Sequence, residues 1–333
     1  MTPVLSALFL AFVCVVLRLW CFHKKIIPMV SDPHASFQNH KHGDNLGLAV
    51  CIVGQMSRME VETKLGNLFN INAKGMGISV FAVLEVHGSY FQTWNRTDDP
   101  ACFREMSPDE FENKLAPHLR NAVYLDHAPE AFHSAQWPAY EHSLELDMSQ
   151  FHHVASCATL IQEYEKQQHG VFSHVMRIRD NAVVTRPFPV QSVTTVLFKD
   201  CASWGGLQDK VMLAPRDWGL EVLVAPYEFF RKIDNNEVWP LPNINLADEF
   251  AMARNCTNSE QILKTALVIK GVPFELVGPD QLPVVDARCS RVINGKKKWC
   301  LVPLWKDCRS PGANVFSGHD DVETCKERQK AKP

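Results

Sequence analysis

The sequence predicts an α/β fold: a Rossmann-like, mostly parallel sheet flanked by helices, behind an N-terminal transmembrane helix and ahead of a Cys-rich C-terminal tail. Three observations carry this. From Leu48 onward short apolar runs alternate with segments of helical period, the pattern of parallel strands joined by crossover helices. The 333 residues are 46% hydrophobic and 21% charged, enough to bury a large core. The first residues, Val4 to Phe22, are an apolar stretch interrupted only by Ser6 and Arg18, close to the roughly 20 residues that span a bilayer.

That first segment (1–25) reads as an uncleaved signal anchor. A cleavable signal peptide is the rival, but no small-x-small site precedes His23-Lys24-Lys25. Orientation cues conflict. Lys24 and Lys25 favour a cytosolic bulk, whereas the sequons Asn95-Arg96-Thr97 and Asn255-Cys256-Thr257 favour the lumen. Cysteines decide it: of 11, only Cys14 and Cys21 lie within the apolar segment. Cys289, Cys300, Cys308 and Cys325 fall in a polar tail (286–333) that lacks apolar residues for its own core, so two disulfides among these four are expected. No Cys-x-x-Cys pair offers zinc instead. The bulk is therefore expected in the lumen of the Golgi or endoplasmic reticulum, single-pass. A polar stem with Pro28 and Pro33 (26–46) leads into the main domain (47–285).

Within that domain Leu48–Val53 is a buried strand closed by Gly54, and Val61, Leu65, Leu68 and Phe69 give Met59–Phe69 a helical stripe. Ile78–Leu84 is a second buried strand. Ser107-Pro108-Asp109-Glu110 starts a helix, with Ser107 as cap, Pro108 in the first turn and Glu110 completing a capping box. Ala122–Leu125 is a short strand, Phe151–Gln168 a helix stopped by Gly170, and Val171–Ile178 and Lys210–Ala214 are strands. Asp217–Lys232 and Ala247–Lys270 are helical, the latter broken near Asn255–Ser259, and Phe274–Val277 is a last strand.

Charge points to no class of partner, and nucleic acid is not expected. With 34 basic and 37 acidic side chains the net charge is -3, and no basic surplus argues for nucleic acid. Ligands of parallel sheets gather beyond the carboxyl ends of the strands, and three clusters fall there. In Gly54-Gln55-Met56-Ser57-Arg58 a glycine turns the chain, Ser57 can cap the next helix and Arg58 fixes a positive charge, a combination suited to a diphosphate. On these residues alone, a plain strand-to-helix turn with an exposed arginine is the better explanation, because one glycine is not a Gly-x-Gly-x-x-Gly fingerprint. In His174–Asn181 the residues Arg177, Arg179 and Asn181 share one strand face. Two arginines in an apolar strand need a partner or a ligand; Asp180 and Asn181 can offer oxygens to a ribose or a divalent cation. An Arg–carboxylate network is the alternative. In Trp204-Gly205-Gly206-Leu207-Gln208-Asp209-Lys210 the glycines permit close backbone approach, Trp204 can stack on a sugar and Asp209 can serve as a base, unless the glycines only make a turn. Asp248-Glu249 reads as a solvated helix face. No Gly-x-Ser-x-Gly elbow, Walker loop, His-Glu-x-x-His or Asp-x-Asp motif occurs.

Taken in order, Cys51–Phe69, Phe81–Glu85, Val175–Phe188, Trp204–Pro215 and the run Leu282-Pro283-Val284-Val285-Asp286-Ala287-Arg288 resemble poorly characterised eukaryotic glycosyltransferase-like proteins, similar to the GT-A group. The resemblance spans Leu48 to Cys308. It implies a nucleotide-sugar donor, a glycan or glycoprotein acceptor and a Golgi type II membrane protein. Gly54, Gln55 and Arg58 would lie near the nucleotide, with Arg177, Gly205 and Gly206 beside them. Arg179, Asp180 and Asn181 would stand where such enzymes keep a metal-binding acidic motif, and Asp209 would activate the acceptor hydroxyl. Asn181 replaces the expected second acid, which weakens a Mn or Mg site at Asp180. Metal-independent transfer, or an inactive membrane-tethered glycan-binding scaffold, follows as the alternative.

Overall fold

The computed structural model describes residues 44–86, 106–126, 141–201, 203, 205–234, 258–294 and 296–301. The expected anchor and stem, both sequon asparagines, Trp204, Asp248-Glu249, Cys308 and Cys325 lie outside the described residues. Among those described, no helix is long and apolar enough to cross a membrane.

In chain order the elements are β1 (Asp44–Asn45), β2 (Leu48–Gln55), a 3-10 turn (Met56–Arg58) and helical segment α1 (62–72), whose middle, Leu65–Phe69, is a π turn. Then come β3 (Ile78–Glu85), α2 (Pro108–Leu115), β4 (Leu119–Leu125), α3 (Glu141–Gln168), β5 (Gly170–Val171), β6 (His174–Arg179), β7 (Ala182–Val184), β8 (Val196–Lys199) and β9 (Val211–Pro215). Helix α4 (Arg216–Asp234), α5 (Ser259–Ile269), β10 (Phe274–Val277), β11 (Val284–Ile293) and β12 (Lys296–Leu301) complete the described chain.

Seven strands form the main sheet in the order β10-β8-β9-β6-β2-β3-β4. All its pairings are parallel except those of β9, which runs antiparallel to β6 and β8. The expected strand at Lys210–Ala214 is thus present but reversed. Among the described residues no helix intervenes between β8 and β9, and the chain returns antiparallel, whereas a parallel return needs a crossover. Strands β7, β11 and β12 make a second, antiparallel sheet. Strand β11 runs through the boundary expected at 285/286, so the start of the tail is part of the folded body.

Pleating sorts the central strand. Ala49, Cys51 and Val53 face a core layer with Phe151, Val154, Leu223, Ile262 and Leu267 of α3, α4 and α5. Leu48, Val50 and Ile52 face the other layer, with Leu68 and Phe69 of α1, Phe111 and Leu115 of α2, and Val284 of β11. Burial on both faces is why β2 and β3 read as unbroken apolar runs. The Ser107 hydroxyl accepts from the Glu110 N–H at 3.1 Å, as its spacing predicts. The run Val171–Ile178 divides into β5 and β6, because Ser173 turns aside to give both its N–H and its hydroxyl to the Gly47 carbonyl.

A disulfide joins Cys51 on β2 to Cys157 on α3, with Cα atoms 6.1 Å apart and a sequence separation of 106. Cys201 and Cys289 are also disulfide-bonded. The sequence singled out the tail cysteines and gave no hint that a strand cysteine and a helix cysteine meet in the core.

Candidate functional site

Strands β2, β3 and β6 end at one edge of the sheet, and the antiparallel β9 starts there. Residues from all three sequence clusters therefore converge: Gly54 and Gln55 at the end of β2 with Arg58 just after it, Arg177 to Asn181 along and after β6, and Asp209 and Lys210 before β9. The loop holding Gly205 and Gly206 reaches the same edge through its bond to α5.

Asp180 is fully buried and lies against Gly54. A Cβ at Gly54 would come within 2.2 Å of the Asp180 Cγ, and the Gly54 φ of +146° is itself outside the range side chains favour. Asp180 Oδ2 accepts from the Gln55 N–H and from Arg58 Nε, both at 2.8 Å. Its partner is thus Arg58, not the two arginines of its own strand. The backbone here is fastened by Lys64, a completely buried amine that donates to the carbonyls of Glu60, Asp180 and Ala182. Asn181 Nδ2 donates to the Ala287 carbonyl at 3.1 Å, which places Asp286 of β11 beside the loop.

Asp209 is the centre of the second half. It is buried, it accepts from Lys210 and from Gln150 Nε2 on α3, and Arg179 and Arg177 approach it at 3.6 and 3.9 Å. Burial alone would raise its carboxyl, but Lys210, Arg179 and Arg177 overcome this and hold it far below the usual range. A carboxylate stabilised so strongly is a poor proton acceptor, so the base role expected of Asp209 does not suit its surroundings. Burial brings Arg177 down to about 10, with Asp209 opposing and Arg179 assisting. Asp286 is pushed up by burial, against the pull of Arg179, Lys210 and Arg58.

Unmade hydrogen bonds gather here. Asp180 Oδ1, Asn181 Oδ1, Asp286 Oδ1, Gln55 Oε1 and Arg177 Nε and Nη2 are buried without a hydrogen-bond partner among the described residues. Buried polar atoms are nearly always paired in native structures; those gathered at this strand edge leave hydrogen-bonding capacity open to water, an ion or a ligand. Gln55 also gives Nε2 to Glu85 at 2.9 Å, and Glu85 lies 3.7 Å from His153 Nδ1. Burial, with His152 adding, lowers His153 to about 4.

Gly206 is required for a different reason than ligand approach. A Cβ there would stand 2.0 Å from the Glu260 carbonyl carbon, so this glycine seats the start of α5. Gly205 takes a φ of +84°. Residues the sequence did not single out are Lys64, Gln150 and Glu260. Only Asp286 carried a signal, an acid inside the apolar run Val284-Val285-Asp286-Ala287.

Among the described residues no three His, Cys, Asp or Glu side chains converge as ion ligands. Asp180 itself fits a divalent ion poorly: one oxygen is held by Arg58, and the Arg179 charge acts on it as well. No protein-family model matches the chain, and no curated protein matches it.

Proposed function

We propose that the chain is a nucleotide-sugar-dependent glycosyltransferase that acts on a glycan or glycoprotein, tethered to a Golgi or endoplasmic reticulum membrane by residues 1–25 with its bulk in the lumen. The observation that carries this reading is the set of cations Arg58, Arg177, Arg179 and Lys210 at the carboxyl edge of a mostly parallel sheet, amid buried polar atoms without partners. Such an edge is where α/β sheets take nucleotides, and fixed guanidinium and ammonium groups in a dry site stabilise a diphosphate leaving group. Arg58, Arg179 and Lys210, whose side chains keep 20%, 17% and 14% of their surface, are the ones that reach a ligand; Arg177 supports them from beneath. The cations take the charge-neutralising part that a Mn or Mg ion plays elsewhere, so the reading is metal-independent. The Cys51–Cys157 disulfide suits the oxidising lumen.

Full-length protein titrated with UDP and GDP by calorimetry tests this. Binding is expected, and Arg179→Ala should weaken it by roughly tenfold or more, the worth of a charge-assisted hydrogen bond. The absence of binding at millimolar nucleotide would remove the transferase reading. A second reading, an inactive scaffold that still binds the nucleotide, draws on the closure of Asp180 against Gly54 and Arg58; binding without donor turnover would select it.

A further inference from the structure

Glu260 is the second residue of α5, and α5 is seated on the loop that carries Asp209 and Lys210. The Glu260 carbonyl accepts the Leu207 N–H at 2.9 Å, and Gly206 packs against the same carbonyl with no room for a side chain. Asn258 caps the helix by accepting from the Gln261 N–H at 2.9 Å. The Glu260 carboxyl is consequently fixed beside the cation cluster: Oε1 is 3.5 Å from Lys210 Nζ, and Oε2 accepts the Ser259 hydroxyl at 3.1 Å.

Two carboxyls thus share Lys210, and their situations differ. Asp209 is saturated by Lys210, Gln150, Arg177 and Arg179, and its side chain is wholly enclosed. Glu260 has Lys210 and Ser259 as its near partners, feels Arg177 and Arg179 only at longer range, and keeps 8% of its side-chain surface. Burial first, and the Asp209 charge second, push the Glu260 carboxyl up, with Lys210 pulling the other way. Paired acids whose surroundings drive them apart in this manner divide their labour, one as fixed charge and one as proton carrier.

We propose that Glu260 is the group that takes the proton of the attacking hydroxyl, while Asp209 serves as the fixed counter-charge of the cation cluster. This rests on the transferase reading above. The hydroxyl oxygen of the acceptor, or of water in its place, bonds to the anomeric carbon of the donor sugar. The bond from that carbon to the β-phosphate oxygen breaks and leaves its electron pair on the nucleoside diphosphate, whose added charge Arg58, Arg179 and Lys210 neutralise. The hydroxyl proton passes to the Glu260 carboxylate and afterwards to solvent, so charge and atoms balance without another reactant.

The test uses the full-length protein and water as acceptor, with UDP-GlcNAc, UDP-galactose and GDP-mannose as donors. Hydrolysis by the wild type should lose rate on acidification along a limb displaced upward from an ordinary glutamate. Glu260→Gln should lower the rate by on the order of a hundredfold or more, erase that limb and leave UDP or GDP affinity within about threefold. Glu260→Asp should restore part of the rate, which a purely structural role would not require. If the wild type hydrolyses a donor and Glu260→Gln does so equally well with the limb intact, the proton assignment is wrong and the transferase reading stands. If the wild type binds neither nucleotide nor turns over any donor, both fall together. If Glu260→Gln fails to fold, Glu260→Asp decides in its place: an unchanged rate with an unmoved limb would overturn the assignment.

Discussion

Gly54 and Asp180 are a matched pair, and each explains the other. The glycine leaves open the volume into which the carboxylate turns, and the carboxylate in turn receives the Gln55 N–H and Arg58. Gly54→Ala should therefore cost about 2–4 kcal/mol, from overpacking and from a φ that only glycine holds comfortably. Asp180→Ala should cost a similar amount, about 2–4 kcal/mol, at the low end of a broken buried pair because Arg58 is a fifth exposed and water screens it. Urea denaturation measures both, and an Asp180→Ala protein as stable as wild type would show that the pairing contributes nothing. Combined with Gly54→Ala, the second change should cost less than it does alone, since the two remove one arrangement. At this scale the sequence was legible in part. Arg58, Arg177, Arg179, Asp180 and Asp209 stood out as charges next to apolar strands. Which cation met which anion was not legible, because adjacency along a strand says nothing of the loop that folds over it. The alternative to a ligand role for Asp180, a pairing with the arginines beside it, is met in space by an arginine 122 residues away.

Among elements, the strands with both faces covered were the readable ones. Strands β2 and β3 carry their burial as continuous apolar runs, and the Ser107 cap fixes the start of α2. The short strands β7 and β8 were not legible, since three or four residues are too few to show a period. Strand β11 was hidden because Asp286, Arg288, Ser290 and Arg291 interrupt its apolar residues without a regular period. Helix α3 was found only from Phe151 onward, yet its earlier turns supply Ser149 and Gln150 to the site edge. The Cys157 bond to Cys51 fastens the same helix covalently to β2. Replacing both Cys51 and Cys157 by alanine should destabilise by roughly 4–5 kcal/mol, the chain-entropy value for a closed loop of about 100 residues. Peptide mapping without reductant should recover the Cys51–Cys157 cross-link; free thiols at both positions would contradict it.

Across the molecule, burial of charge sets how stability follows pH. Lys199 is wholly buried at the end of β8, donates to the Val284 carbonyl, and is brought down to about 7 from 10.5 by burial. The unfolded chain keeps this proton up to about 10.5, whereas the folded one releases it near 7. Between those values the unfolded state binds more protons, so unfolding free energy rises with pH. Lys64 is lowered in the same direction, again by burial. From pH 7 to 9 the wild type should gain roughly 2–3 kcal/mol from Lys199 relative to Lys199→Met, which lacks the group. Denaturant midpoints at the two pH values measure the difference, and parallel curves for both proteins would refute it. The overall architecture, a mostly parallel sheet between helices, was legible from the alternation of periods. The reversal of β9 and the second sheet were not, since both depend on where the chain turns back rather than on what it buries.

The order in which the chain leaves the ribosome gives the Cys51–Cys157 bond a further consequence. Once Cys157 has emerged, strands β2, β3 and β4 and most of α3 already exist, while β6, the remaining neighbour of β2, does not. The cross-link can close on this partial sheet and hold the helix over one face before the open edge of β2 has its partner. Strand β6 then arrives at a template already braced, bringing Arg177, Arg179 and Asp180 to a waiting Gly54 and Arg58. Wherever the bond closes at that stage, the candidate site becomes the last part of the sheet's central seam to be completed, against a helix already braced.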